Sequence, residues 1–199
     1  MSRALTYYLA LNSPWAFLGG APLAALAAAK DATVEVRPLD LMRLYQVTGG
    51  IPLPKRAPAR QAYRLRELAR WRDRLGIPLV LEPAVFPFDE RRAAACVLAV
   101  QAKGGDALGL AIAFGHALWV EDRDLNDRDA VAAVLTTQGL DASAVLAEVE
   151  GDTDRWEAVR QGYTDAAVAD GVFGVPTYVV DGEPFWGQDR LDFVEAALG

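Results

Sequence analysis

The strongest constraint on this chain is a change of hydrophobic period along its length. Both ends switch between strand-like and helix-like runs, while the long middle keeps helical spacing almost throughout. Residues 4–11 form an apolar run of strand length that Asn12-Ser13-Pro14 stops. Ser13 suits a helix N-cap and Pro14 the first helical position, where a missing N–H costs nothing. The helix so begun should reach about residue 30 through an alanine-rich stretch, kinked at Gly19, Gly20 and Pro22. Residues 33–38 alternate and read as a second strand. A strand, a helix on its face and a parallel partner make a βαβ unit, so the chain opens as α/β.

From about Pro58 to Gly171 the pattern is helical. Ala62, Leu65, Leu68, Ala69 and Leu75 mark one apolar face. Asp89 reads as the cap of a helix ended by Gly104-Gly105, and Asp106 as the start of another reaching Trp119. Asp127 and Asp141 open two more, stopped by Gly139 and Gly151, and a last one spans residues 153–170. The C-terminal part then returns to strands. Residues 176–180 and 183–186 are two arms joined by an Asp181-Gly182 hairpin turn, and residues 188–198 form a closing helix. The fold class is therefore α/β with a large all-helical insertion. Removing the helical block leaves the β-α-β-α-β-β-α order of a thioredoxin-like domain, expected from residues 1–40 and 155–199, with 41–154 inserted.

Composition narrows the functional classes. One cysteine cannot form a bridge within the chain, and 27 acidic against 20 basic residues do not suit a nucleic-acid binder taken whole. No run approaches the ~20 apolar residues of a membrane span, and the N-terminal run is short for a signal peptide, so a cytoplasmic protein is expected. Cys96 sits in an apolar helix and reads as core, and His116 has no Cys or carboxylate at metal spacing, so no metal site is expected.

In a thioredoxin-like domain the reactive residues sit where the first strand feeds the first helix. That place is Ser13-Pro14-Trp15-Ala16. Disulfide exchange needs two sulfurs there, and serine and alanine supply none. With Asn12-Ser13-Pro14-Trp15-Ala16-Phe17, Arg70-Trp71, Gly76-Ile77-Pro78, Gly174-Val175-Pro176-Thr177 and Trp186-Gly187-Gln188-Asp189-Arg190-Leu191, the sequence resembles the 2-hydroxychromene-2-carboxylate isomerases, relatives of the kappa-class glutathione transferases. The resemblance spans nearly the whole chain, and the C-terminal pair of motifs is its most specific part. It implies a thioredoxin-like domain of DsbA type with a helical insertion, glutathione as cofactor, an aromatic carboxylate as substrate, and a homodimer.

Each implied site residue also has a plainer reading. Ser13 is an N-cap by sequence. The resemblance adds a second job, donating its hydroxyl to a bound thiolate, and the two are compatible because a helix N-terminus favours an anion. A free thiol has a pKa near ~8.5, so making it mostly thiolate at neutral pH needs about two units, or ~2.7 kcal/mol. A helix terminus supplies ~0.3–1 and at most ~2 kcal/mol, and a hydrogen bond to a charged group ~1.5–3. Neither is comfortably enough alone, but together they suffice. Val175-Pro176 would be trans on general grounds, whereas the resemblance implies a cis bond presenting the Val175 N–H and C=O to the cysteinyl backbone of glutathione. Trp186, Gly187, Gln188 and Asp189 would hold its γ-glutamyl end, although Asp189 in a first helical turn also suits the helix dipole.

The basic run from Lys55 and Arg56 through Arg74 reads first as a solvated helix face. It carries no aromatic stacking platform for nucleic acid. The resemblance assigns Lys55 and Arg56 to a substrate carboxylate and places Tyr45 and Phe86 beside the substrate ring. Tyr45 stands where a well-matched relative has lysine, and Gly50 where asparagine is common. A kappa-like transferase and a non-catalytic glutathione-binding module remain alternative readings.

Overall fold

A computed structural model describes residues 3–199. The first strand, β1 (Arg3–Leu9), pairs in parallel with β2 (Ala32–Pro38). It pairs antiparallel with β3 (Thr177–Val180), which in turn pairs with β4 (Glu183–Trp186), giving one sheet of order β2-β1-β3-β4. This is the thioredoxin-like α/β arrangement expected from the sequence. β1 is shorter than expected: Leu9 pairs with Pro38 at the last register position, so Ala10 and Leu11 have no ladder partner there. The chain turns instead, and the Ser13 N–H donates to the Ala10 carbonyl at 2.9 Å.

The helix α1 (Pro14–Ala29) runs uninterrupted through Pro22. Its glycines serve close packing. A Cβ on Gly19 would lie 2.4 Å from the Tyr178 hydroxyl, and one on Gly20 would lie 2.8 Å from Ile112. Ile112 belongs to α5 (Ala107–Trp119), which packs on α1. Asp106 caps α5 as expected, accepting from the Gly109 N–H at 2.8 Å. Asp127 and Asp141 likewise cap their helices, α6 (Arg128–Thr137) and α7 (Ala142–Gly151).

Three expectations are corrected. The helical period is broken between α3 (Pro58–Leu75) and α4 (Arg91–Ala102), where residues 76–90 run without a helix. Within that stretch Val80 donates to the Trp119 carbonyl and Leu79 packs into the core, so burial rather than helicity explains its apolar residues. The residue at the N-cap position of α4 is Glu90, whose side chain is turned inward and makes no capping bond, while Asp89, one position earlier, accepts from the Arg91 N–H at 3.2 Å. The closing helix begins at Leu191, not 188: Gly187, at φ +120°, starts a turn in which Arg190 donates to the Gly187 carbonyl. A short helix not singled out beforehand, α2 (Leu41–Thr48), follows β2 and is capped by Asp40. The chain then passes a 3₁₀ turn at Leu53–Lys55 into α3.

The Asp181-Gly182 turn holds both residues at positive φ, 48° and 83°, which suits a tight hairpin. The helix α8 (Thr153–Ala169) precedes β3, and α9 (Leu191–Leu198) closes the chain. One apolar core runs from Leu5 and Tyr7 of β1 through Leu18 and Leu23 of α1 to α4, α5, α6 and α7. The sheet and the helical block therefore share their interior. A second cluster, including Tyr8, Leu44, Ala167 and Val175, fills the other face of the sheet.

Candidate active site

The junction of β1 and α1 presents Ser13, which is only 7% exposed. Its Oγ accepts from the Ala16 N–H at 3.2 Å, an N-cap bond. Among the described residues the hydroxyl hydrogen is given to no acceptor, and the first turn of α1 carries no acidic side chain. A negative charge set before that turn would meet a hydroxyl donor and the positive end of a helix together.

The junction is held from behind. The Asn12 amide donates to the Phe88 carbonyl at 2.9 Å and accepts from the Phe88 N–H at 3.1 Å, which staples the 76–90 stretch to the residue before Ser13. The Asn12 N–H donates to the Glu90 carboxylate at 3.1 Å. Burial pushes the Glu90 carboxyl up to about 7, against the pull of the Asn12 N–H and of Arg160. Arg160 is buried, 3.8 Å from Glu90 and 3.6 Å from Asp40, with both Glu157 oxygens at 3.0 Å and the Leu39 carbonyl at 3.3 Å. Sequence reasoning did not single out Asn12, Glu90 or Arg160 as a group. Their partners lie 70 or more positions apart along the chain, and the Asp89-Glu90-Arg91-Arg92 run looks like an ordinary charged helix start.

Val175 and Pro176 sit at the head of β3. Thr177 pairs with Tyr8, so the Val175-Pro176 bond, which is cis, lies beside the end of β1 that leads to Ser13. The Val175 N–H and C=O find no hydrogen-bond partner in the described chain, whereas the Pro176 carbonyl accepts from Gly187 at 3.0 Å and the Gly174 carbonyl from Thr177 Oγ1 at 2.8 Å. That Gly187 bond carries the Trp186–Asp189 turn to the same place. Gln188 is buried against α1, its Cβ 3.1 Å from where a Gly19 Cβ would stand. Asp189 is part-exposed and pairs with Arg190 at 3.0 Å. The Trp186 ring is half-exposed, edge-on to Phe173 at 4.8 Å. Gly174 is required beneath it, because a Cβ there would lie 2.8 Å from the indole Nε1.

The second group gathers around the start of α3. The Arg56 guanidinium donates to the Ile51 carbonyl at 2.8 Å and reaches the Tyr45 hydroxyl at 3.4 Å. Tyr45 lies over Gly50: a Cβ on Gly50 would fall 1.9 Å from Tyr45 Cδ1, so the two departures noted in the sequence are one packing arrangement. Phe86 rests 5.2 Å from the buried Trp119 ring, and Arg64 sits 5.8 Å from the Phe86 centroid. Lys55 is exposed on the 3₁₀ turn. The two groups are joined through Phe86 and Phe88, two positions apart, the latter bonded to Asn12. Arg64 is a further member that the sequence did not single out, because a basic run hides which of its members faces inward.

Cys96 cannot stand in for a reactive thiol, since it is buried and its pKa is pushed up to about 12 by that burial. His116 is half-exposed, 3.2 Å from Glu121. Among the described residues no group of three His, Cys, Asp or Glu side chains could hold a metal, and no helix is long and apolar enough to cross a membrane.

Residues 4–199 match the DSBA-like thioredoxin domain. The 2-hydroxychromene-2-carboxylate isomerase of Sphingobium xenophagum is 30% identical over 200 residues, covering 100% of this chain and 99% of that protein. The enzyme of the same name from Pseudomonas putida is 29% identical over 198 residues, covering 97% and 93%. Among solved structures, a selenomethionine form of 2-hydroxychromene-2-carboxylate isomerase superposes with a TM-score of 0.82 at 28% identity, covering 98% of this chain and 94% of that one. The cytosolic disulfide reductase DsbM from Pseudomonas aeruginosa, solved with GSH, gives 0.71 at 19% identity and 98% coverage of both chains, a likeness of fold alone.

Proposed function

The chain belongs to the DSBA-like thioredoxin family and, within it, to the 2-hydroxychromene-2-carboxylate isomerases, and from that premise we propose that it is a glutathione-dependent isomerase of an aromatic carboxylate. The observation that carries this reading is Ser13: a capping hydroxyl with an unspent hydrogen, standing where a redox relative needs a sulfur. Glutathione would supply the thiolate this chain lacks, a nucleophile that adds to the substrate and leaves again unchanged.

The residues present fit that cofactor. The unpaired Val175 N–H and C=O offer the edge on which a cysteinyl backbone can lie as a short added strand. In that pose Ser13 gives its hydrogen to the sulfur, and the head of α1 adds its partial charge. The ~2.7 kcal/mol needed to ionise a thiol of pKa ~8.5 at neutral pH is within the sum of the two. Gln188, Asp189 and the backbone of Trp186 and Gly187 hold the γ-glutamyl end, with Asp189 facing its ammonium. On the other side Arg56 meets the substrate carboxylate, with Lys55 exposed on the 3₁₀ turn before it, while Tyr45 and Phe86 flank the ring. A homodimer and a cytoplasmic place of action belong to the same proposal, and light scattering tests the first.

Turnover of 2-hydroxychromene-2-carboxylate, followed with and without glutathione, tests the reading. An isomerase converts it only with glutathione and leaves the free glutathione unchanged. Consumption of glutathione would instead establish a transferase, and binding without turnover a non-catalytic module.

A further inference from the structure

Arg64 lies one helical turn before Leu68 and two before Trp71, on the side of α3 that those residues press into the core. A guanidinium on such a face normally meets a carboxylate, because a buried charge without a partner is costly. Arg64 meets none among the described residues. Burial draws the Arg64 pKa down to about 10, still charged at neutral pH, and the charge that adds to the shift is another cation, Arg56. Its other neighbour is the Phe86 ring, which leans on Trp119. Elsewhere on the helix Arg70 pairs with Glu67 and Arg72 with Asp73, and Arg60, Arg66 and Arg74 are exposed to water, whereas Arg64 is part-buried.

A part-buried cation with no carboxylate partner among the described residues, within the field of a second cation and against an aromatic wall, describes a seat for an anion carried on a ring. Arg56 has already committed Nε to the Ile51 carbonyl and a terminal nitrogen toward Tyr45. Arg64 keeps its planar fork free, the geometry that matches a carboxylate with two parallel hydrogen bonds. We infer that Arg64 is a specificity-determining residue, its guanidinium with that of Arg56 holding the carboxylate of the aromatic substrate while the substrate ring lies beside Phe86. The inference takes its substrate class from the proposed function and transfers the carboxylate from the exposed Lys55 to an inward-facing arginine.

Salicylate and its neutral counterpart salicylamide serve as probes, titrated by calorimetry into the wild-type chain and the Arg64→Met, Arg64→Lys and Lys55→Met variants. Wild type should prefer salicylate. Arg64→Met should weaken salicylate roughly 10- to 100-fold and leave salicylamide within about two-fold. Arg64→Lys should recover part of the loss, and Lys55→Met should change salicylate by no more than about three-fold. Arg64→Met removes an uncompensated charge, so its thermal melt should not fall below that of wild type. A carboxylate preference that survives Arg64→Met, or its absence in wild type, overturns the inference. If wild type leaves 2-hydroxychromene-2-carboxylate unconverted yet shows the Arg64-dependent preference, the isomerase reading fails and this inference stands. Conversion without that preference sinks the inference alone.

Discussion

Replacing Glu90 by glutamine isolates the electrostatics that hold the Ser13 junction. The Glu90 side chain is 14% exposed, and its carboxyl titrates near 7 in the folded chain against 4.5 for the ordinary group. The folded state thus binds this proton more tightly than the unfolded state. The favourable contribution is fully present below about pH 4.5 and is lost as pH rises through about 7. A difference of about 2.5 units corresponds to roughly 3 kcal/mol, an order-of-magnitude figure for a group coupled to Arg160. Glutamine keeps an oxygen for the Asn12 N–H and removes the charge, while Arg160 retains Glu157 and Asp40. Glu90→Gln should therefore be more stable than wild type at pH 8 by about 1–3 kcal/mol, with the gap closing toward pH 5. Urea unfolding followed by tryptophan fluorescence at pH 5, 6, 7 and 8 measures this directly. A variant less stable than wild type at pH 8, or a gap that does not change with pH, would refute the reasoning.

Two further outcomes follow from packing and charge. Gly50→Ala places a methyl group 1.9 Å from Tyr45 Cδ1 and should cost about 1–3 kcal/mol in the same unfolding assay, a loss relieved in the Tyr45→Ala background. Arg160→Met leaves Glu90, Asp40 and Glu157 without their shared cation and should destabilise the chain by about 3–5 kcal/mol at pH 8, and by less at pH 5, where Glu90 takes up its proton.

Local signals in the sequence were enough for much of the fold. Asp106, Asp127 and Asp141 cap the helices they were expected to open, and the Asp181-Gly182 hairpin forms. These features depend on a few adjacent residues. The misjudged places depend on distant ones. Glu90 stands at the N-cap position of α4 without capping it because its carboxylate is needed 78 positions away at Asn12, and Asp89 accepts from the Arg91 N–H instead. Residues 76–90 show apolar spacing without a helix because they pack on α5 and Asn12. Within the site, Ser13 was legible from its N-cap position, whereas Arg64 was hidden in a run of arginines. Only the fold shows that its side of the helix turns inward and that no carboxylate among the described residues meets it there.

The most direct test of the account is the ionisation of glutathione on this chain, followed by thiolate absorbance across pH for wild type and Ser13→Ala. A bound thiol should titrate about two units below its ordinary ~8.5 in wild type, and at least about one unit higher in Ser13→Ala with the chain still folded. Glutathione that fails to bind, or that titrates identically in both proteins, would contradict it.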